Sequence, residues 1–280
     1  MGLAYKRAGE GPPLVLFHGI GHRRQAWDAV FDRLTPYRDV VAVDLPGHGE
    51  SPAFDISHRT AIDGLAEETN GLLDELGFDR PHMAGNSLGG RIALEAAILG
   101  RAASVTALSP AGFWRSDREL AYITGIFKTM LALGPRIELV TPRLANRTAG
   151  RAILCSTIVS HPSRMSAEQA LGDARAFAAA KPAINAILAE ATTFTGLISG
   201  DVPVTIAWGD RDRLTRRRQA LVARRFLPQA RFVRLPGCGH VPMTDNPELV
   251  ARILLEGSSH PEIPARPEHP AASQPLDAAQ

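Results

Sequence analysis

The sequence Gly85-Asn86-Ser87-Leu88-Gly89 decides the fold of this chain. A strand-like run precedes it and a helix-like run follows it, so the pattern Gly-x-Ser-x-Gly predicts a sharp strand-to-helix turn with Ser87 at its tip. Such a turn strains the backbone of its central residue, and glycine two positions to either side removes the steric clash. The pattern therefore predicts Ser87 as a nucleophile, with the backbone N–H of Leu88 facing the oxygen that becomes negative during attack. A glycine-rich turn that carries a surface serine has the same five residues, so the surroundings must distinguish the two.

Strand-like and helix-like stretches alternate around this turn. Short apolar runs that predict strands lie at 14–17, 40–43, 82–84, 105–108, 202–208 and 232–235. Helical spacing covers 58–76, 88–99 and 215–226, and Asn246 before Pro247 opens a last helix. This alternation predicts an α/β fold in which a doubly wound, mostly parallel sheet is covered by helices on both faces.

The alternation stops between residues 113 and 198. Helix-like stretches at 119–133, 166–180 and 183–191 follow one another there without a strong strand signal. We therefore predict an α/β core made of residues 1–112 and 199–256, with a helical lid inserted at 113–198. Residues 257–280 contain five prolines and two branched aliphatic side chains, a composition that predicts a disordered tail.

Composition places the chain among ordinary globular proteins. It has 280 residues, 45% of them hydrophobic and 21% charged, which argues against a fibre or a wholly disordered chain. The net charge of +2 gives no electrostatic reason to expect nucleic acid or an anionic membrane as a partner. The longest uncharged run, 102–114, is too short to span a bilayer.

The N-terminus and the cysteines bear on the cell compartment. The N-terminus lacks the long apolar core of a secretory signal. Cys155 and Cys238 are too few for a disulfide framework or a cysteine-built zinc site. We therefore expect a cytoplasmic protein without a metal or other cofactor, and the sequence leaves its oligomeric state open.

Two downstream turns supply the groups that a serine nucleophile needs. A serine hydroxyl requires a base to take its proton and a third group to orient that base. Asp210 and Asp212 follow the run that ends at Trp208, and His240 follows the run that ends at Leu235. Both turns come at the carboxyl ends of predicted strands, where an open α/β sheet places its site. On the residues alone, both aspartates remain candidates.

Five motifs, taken in order, resemble those of the α/β-hydrolase superfamily across residues 3–256. They are the oxyanion-loop motif Phe17-His18-Gly19-Ile20-Gly21, the turn Asp44 to Ser51, the nucleophile turn Gly85 to Gly89, the acid turn Gly209 to Asp212, and the histidine loop Gly239-His240 with Pro242. The resemblance implies an esterase-like serine hydrolase with a helical lid.

The resemblance also implies a role for each matching residue. It makes Ser87 the nucleophile and His240 the base. The family's spacing puts the acid third after the glycine, which selects Asp212 over Asp210 as the group that orients the base. The non-catalytic alternative for His240 is a buried structural histidine. For Asp210 it is a turn residue that accepts hydrogen bonds from backbone N–H groups.

The resembled oxyanion loop implies further assignments. The backbone N–H of Ile20 is the expected second oxyanion donor beside that of Leu88. His18 and His48 are expected to hold their own loops by hydrogen bonds rather than to take part in the chemistry.

Four more residues are candidates for the substrate pocket. Asn86 and Val241 adjoin the predicted nucleophile and base. Trp27 and Trp114 each follow a loop at the strand-end face, so each either reaches the pocket mouth or packs in the core. Cys238, two residues before His240, is interpreted as a small buried cysteine rather than a nucleophile or redox switch.

The residue type at the nucleophile position narrows the range of expected reactions. Dehalogenases and epoxide hydrolases of the superfamily use Asp where this chain has Ser87, so acyl chemistry is expected on a carboxylic ester with a small or medium acyl group. The main alternative is a C–C bond hydrolase acting on a vinylogous diketone, because Asn86 before Ser87 and Gly89-Gly90 after it resemble the residues of that family. That family usually carries Trp where this chain has Val241, and Gly-Pro-Gly where this chain reads Gly21-His22-Arg23. A cofactor-free perhydrolase, a thioesterase for a carrier protein and a non-catalytic ligand receptor remain alternatives on the same fold.

Overall fold

A seven-stranded sheet forms the centre of the molecule. The computed structural model describes residues 2–53 and 60–259, with backbone only at 135–139. The strands are β1 (Tyr5–Ala8), β2 (Pro13–Phe17), β3 (Asp39–Val43), β4 (His82–Asn86), β5 (Ser104–Leu108), β6 (Val204–Gly209) and β7 (Arg231–Leu235). Their order in the sheet is β1-β3-β2-β4-β5-β6-β7, with β1 antiparallel to β3 and all other pairs parallel. The predicted α/β class with a mostly parallel sheet is confirmed.

Helices connect the strands. They are α1 (Asp28–Leu34), α2 (Ala61–Glu75), α3 (Leu88–Ile98), α4 (Asp117–Ala145), α5 (Thr148–Cys155), α6 (Ala167–Ala179), α7 (Lys181–Ala189), α8 (Gln219–Phe226), α9 (Pro242–Asp245) and α10 (Pro247–Gly257), with short 3-10 helices at Arg24–Trp27 and Pro162–Arg164. Helices α4 to α7 all lie between β5 and β6 in the chain. None of the helices in the described ranges is long and apolar enough to cross a bilayer.

The core has two layers, one on each face of the sheet. Val15 and Phe17 of β2 pack with α2 and α3, whereas Leu14 and Leu16 pack with α1 and α10. This alternation follows from the two-residue period of a strand, which sends successive side chains to opposite faces. All four side chains are almost completely buried, and burial of each contributes about 1.5–3 kcal/mol.

The strand order determines where in the sheet the candidate site lies. The chain runs from β2 outward to β3 and then crosses to β4 on the other side of β2. The carboxyl ends of β2 and β4 are therefore neighbours, with Phe17 paired to Gly85. The loops that follow them diverge at this switch point, which is where open α/β sheets form ligand crevices.

Some boundaries differ from the sequence-based predictions. Strand β1 was not predicted because all four of its side chains are exposed, so it lacks a buried apolar run. It pairs with β3 through its backbone, and Arg7 also donates to Asp39 of β3. Helix α4 is one helix of 29 residues, longer than the predicted 119–133. Helix α8 starts at Gln219 rather than at 215.

The C-terminal part of the chain matches its predictions only in part. Asn246 is the N-cap of α10, as predicted, and its side chain accepts from the N–H of Leu249. Gly257 closes this helix, and Ser258 is buried and accepts a hydrogen bond from Arg38. The rest of the predicted tail, 260–280, lies outside the described residues, as do residues 58–59 of the predicted helix 58–76.

Candidate active site

Ser87 occupies a strained turn between β4 and α3. Its backbone angles are φ 55° and ψ −114°, a region that non-glycine residues rarely adopt. A Cβ on Gly85 would lie 2.2 Å from the carbonyl carbon of Gly89, and one on Gly89 would lie 2.2 Å from the backbone oxygen of Phe17. Only glycine fits at either position, so the predicted sharp turn is confirmed.

Two backbone donors without partners lie beside this turn. Gly19, in the loop after β2, packs against Ser87 so closely that a Cβ there would lie 3.3 Å from the serine Cβ. Neither Ile20, the next residue in this loop, nor Leu88, the first residue of α3, donates its N–H to another described group. A helix leaves its first N–H groups unpaired, and its dipole makes that end favourable for negative charge. The two donors have the properties that a developing oxyanion requires.

His18 holds the loop that carries one of these donors. The backbone N–H of Leu45 donates to its Nε2 (3.0 Å), so the ring proton is on Nδ1 and is donated to the oxygen of Gly19 at 2.8 Å. Burial lowers the pKa of His18 well below its usual value, which keeps the ring neutral. His48 similarly bonds the oxygen of Pro46 within its own turn. The prediction that both histidines hold their own loops is confirmed.

His240 and Asp212 form a buried pair after β7 and β6. The His240 Nδ1 lies 2.8 Å from Asp212 Oδ2, and the aspartate side chain is completely buried. The backbone N–H groups of Leu214 and Thr215 donate to its other oxygen, each at 2.9 Å. A carboxylate accepts here, so the ring proton belongs on Nδ1, and Nε2 is left to accept a proton.

Thr215 belongs to the same cluster, and the sequence analysis missed it. Its hydroxyl donates to Asp212 Oδ2 at 2.9 Å and lies 3.0 Å from His240 Nδ1. The available signal was the spacing: an aspartate that accepts from the N–H groups two and three residues later is a common local motif. Thr215 therefore helps to hold the orientation of both side chains.

Asp210, the other candidate for the acid, holds a different loop by hydrogen bonds. Arg234 donates to it at 2.7 Å, and so does the backbone N–H of Gly237 at 2.8 Å. Burial by itself would raise the pKa of Asp210, but these hydrogen bonds outweigh burial and lower it. The structure thus places Asp212, and not Asp210, against His240.

Ser87 and His240 line the same cavity. Its volume is about 530 Å³, and Ile20, Asn86 and Val241 also line it. Among the described residues, the serine hydroxyl makes no hydrogen bond to the imidazole. Such bonds are often long before a substrate binds and tighten in the complex.

The four predicted pocket residues have different positions. Asn86 and Val241 line the large cavity, and Trp114 lines a smaller one beside Ser87. Asn86 also donates to the backbone oxygen of His240 at 2.8 Å, which fixes the histidine loop. Trp27 lines neither cavity: it is completely buried in the core on the α1 side of the sheet, so its interpretation as a pocket residue is wrong.

Helix α6 covers the loop that follows β2. A Cβ on Gly21 would lie 2.5 Å from the ring of Phe177, so only glycine allows this approach. Arg23 donates to Asp173 of α6 at 3.1 Å. Helix α6 of the segment 113–198 therefore forms part of the wall over Ser87.

The two cysteines are free and buried. Burial raises the pKa of Cys155 to about 11 and that of Cys238 to about 12. A thiol attacks as its thiolate, so both are poor nucleophiles at neutral pH. This agrees with the interpretation of Cys238 as a structural residue.

Asp245, at the end of α9, connects the segment 113–198 to the histidine loop. Its side chain is fully buried and accepts from the backbone N–H groups of Ser160, His161 and Gly239 at 2.7–3.0 Å. Gly239 immediately precedes His240. The sequence carries no signal for this role, because Ser160 and His161 lie 85 and 84 positions away.

We expect the Asp245→Asn variant to be strongly destabilised. The substitution replaces an acceptor oxygen by an NH2 group that faces backbone donors, so the free energy of unfolding should fall by about 3 kcal/mol. Urea denaturation followed by circular dichroism measures it. Asp74→Asn is the matched control, because its side chain is 66% exposed and pairs only at the surface with Arg101. Equal stability of the two variants would contradict the proposed link.

Comparison with known proteins gives a family and several relatives. The alpha/beta hydrolase family model matches residues 14–253. The uncharacterized protein Rv2715 of Mycobacterium tuberculosis is 30% identical over 260 residues, covering 87% of this chain and 74% of that protein. A pimeloyl-[acyl-carrier protein] methyl ester esterase of Methylococcus capsulatus is 39% identical over 112 residues, 39% of this chain and 41% of the esterase.

Two further proteins are similar. The 2-hydroxy-6-oxo-6-phenylhexa-2,4-dienoate hydrolase of Comamonas testosteroni is 34% identical over 98 residues, which is 34% of each chain. The crystal structure of a membrane phospholipase A, a bacterial virulence factor, has a TM-score of 0.71 at 25% identity. That similarity covers 91% of this chain and 83% of the phospholipase.

Proposed function

The chain belongs to the alpha/beta hydrolase family, as its five motifs predict, and we propose that it hydrolyses carboxylic esters through an acyl-enzyme on Ser87. The observation that carries the proposal is the shared cavity: Ser87 on its strained turn and His240, held by Asp212, line the same space. A serine with a nearby imidazole and an orienting carboxylate is the arrangement that nucleophilic acyl transfer requires.

The proposed reaction has two halves. His240 takes the proton of Ser87 while the serine oxygen attacks the ester carbonyl, and then gives that proton to the leaving alcohol. Water attacks the resulting acyl-enzyme with His240 again as base, which releases the acid and restores the serine. Asp212 keeps the ring in the tautomer that allows both transfers and stabilises its positive charge.

The oxyanion of each tetrahedral intermediate would be held by the N–H groups of Ile20 and Leu88. Both are unpaired within the described part of the chain and lie beside Ser87. Preorganised donors of this kind contribute on the order of 3 kcal/mol each to transition-state stabilisation. The proposed substrate is a small molecule with a small or medium acyl group, and the segment 113–198 is proposed as a lid.

A C–C bond hydrolase acting on a vinylogous diketone is the second candidate. The observation that favours it is the relative from Comamonas testosteroni, whose name describes a dienoate hydrolase. Against it, the large cavity beside His240 is lined by Val241 where that family usually carries Trp.

The test combines a covalent probe with a substrate panel. A fluorophosphonate probe should label wild-type protein on Ser87, and 4-nitrophenyl esters from acetyl to decanoyl should be hydrolysed. Turnover of a dienol-type diketone without turnover of any ester would support the second candidate instead. Failure of the probe to label the folded protein, with no turnover of any ester or diketone, would favour a non-catalytic role on this fold.

We further propose that the protein works in the cytoplasm. Two free, buried cysteines fit a reducing compartment. Fractionation of cells that produce the protein, with a periplasmic and a membrane marker as controls, tests this localisation.

A further inference from the structure

Two cavities of very different size meet at Ser87. The large chamber has a volume of about 530 Å³ and the small chamber about 60 Å³. The small chamber therefore offers roughly one ninth of the space of the large one. The smaller of the two groups of an ester therefore suits the small chamber, and the larger group suits the large chamber.

The position of His240 distinguishes the two sides of the scissile bond. His240 and Val241 line the large chamber and do not line the small one. Leu88, a proposed oxyanion donor, lines the small chamber. The base must protonate the leaving alcohol, so the alcohol extends from the carbonyl on the side of His240. The acyl group then extends on the opposite side.

We propose that the preferred esters join a short acyl group, of acetyl or propanoyl size, to a bulky apolar alcohol. The acyl group occupies the small chamber and the alcohol occupies the large one. This inference rests on the proposed ester hydrolysis and narrows its substrate class.

Phe127 of α4 is the largest side chain among the described residues that line both chambers. Besides Ser87, the described residues that line both chambers are Ile20, Phe127 and Leu214. The Phe127 side chain is largely buried, and its ring stacks on Phe177 of α6, with centroids 6.2 Å apart and an interplanar angle of 20°. Phe177 lines the large chamber but not the small one. Phe127 is thus a specificity-determining residue, and Phe177 offers a matched control in the same stacked pair.

A pair of isomeric esters tests the orientation. Octyl acetate and methyl nonanoate have the same atoms and differ in which side of the carbonyl carries the long chain. Wild-type kcat/KM should be higher for octyl acetate by about tenfold or more, since even one misplaced methylene in a closed pocket costs about tenfold. Equal rates, or a preference for methyl nonanoate, would overturn the inference.

Two variants test the role of Phe127. In Phe127→Ala the chambers merge, so the ratio of the two kcat/KM values should fall to within about threefold of one, because the excluded chain then has space. In Phe177→Ala the ratio should stay near the wild-type value even if both rates fall. Loss of discrimination in both variants, or in neither, would contradict the assignment to Phe127.

A second pair of variants covers the case in which Phe127→Ala does not fold. Leu188 lines only the small chamber and Leu144 only the large one. Leu188→Ala should raise hydrolysis of butanoyl esters relative to acetyl esters severalfold, and Leu144→Ala should not. A gain in Leu144→Ala instead would reverse the assignment of the chambers.

Failure of this inference is distinguishable from failure of the proposed function. A protein that is labelled by the fluorophosphonate at Ser87 and prefers methyl nonanoate is an esterase with the opposite orientation. A protein that is neither labelled nor active on any ester is not a serine esterase, and the inference fails with the proposed function.

Discussion

The Ser87→Ala variant is expected to lose kcat by on the order of 10⁶ on any ester that the wild type hydrolyses, because removal of the nucleophile of a serine hydrolase costs about this much. No neighbouring group replaces the alcohol: besides Ser87, the described residues that line both chambers are Ile20, Phe127 and Leu214, and none of them carries a nucleophile. The remaining activity should come from the oxyanion donors and from substrate binding.

The measurement must exclude traces of wild-type enzyme. Single-turnover kinetics with a 4-nitrophenyl ester, at enzyme concentrations above that of the substrate, detects a small residual rate. The fluorophosphonate should label the wild type and leave Ser87→Ala unlabelled.

Ser109 provides a matched control for this variant. It is a second buried serine with a positive φ, 45°, and lines neither chamber at Ser87. Ser109→Ala should therefore retain probe labelling and activity within a fewfold of the wild type. If Ser87→Ala keeps its activity and Ser109→Ala loses it, the nucleophile has been assigned to the wrong serine.

The Asp212→Asn variant is expected to lose kcat by about 10⁴, whereas Asp210→Asn should lose only severalfold. The Asp212 carboxylate accepts the Nδ1 proton of His240. An amide in its place can present N–H to Nδ1, which forces the ring proton to Nε2. The imidazole then cannot take the proton of Ser87.

Comparison of the two aspartate variants separates catalysis from folding. Both residues lie in the turn after β6 and accept backbone hydrogen bonds, so both substitutions should lower the melting temperature. Only Asp212 contacts the imidazole, because Asp210 is held by Arg234 and Gly237. Thermal melts and kcat should be measured on the same preparations. A larger loss of kcat in Asp210→Asn than in Asp212→Asn would show that the acid was assigned wrongly.

Local patterns made the fold predictable. Runs such as 40–43 and 105–108 predicted strands because they combine β-branched residues with closely spaced turn signals, and both lie within strands β3 and β5. The Gly-x-Ser-x-Gly pattern predicted a strained turn because only glycine fits beside Ser87. Strand β1 lacked such a pattern, since its four side chains are exposed and none of them belongs to the buried core.

The candidate site was predictable where a residue type and a short spacing carried the signal. Ser87 and His240 were selected in this way and Asp212 by the resemblance to the family, and the roles of all three remain predictions until the variants are measured. Thr215 was missed although its spacing from Asp212 offered a signal. Trp27 was left open between the pocket mouth and the core, because an indole after a strand-end loop can turn toward either, and only the structure shows it in the core.

The sequence by itself determined the α/β architecture, the nucleophile turn and the family, because these depend on interactions between residues close together in the chain. The tertiary structure decided that Asp212 rather than Asp210 contacts His240, that Asp245 connects the helical segment to the histidine loop, and that two cavities of unequal size adjoin Ser87. These features depend on distances between atoms from separate elements, which are set only when the whole chain packs.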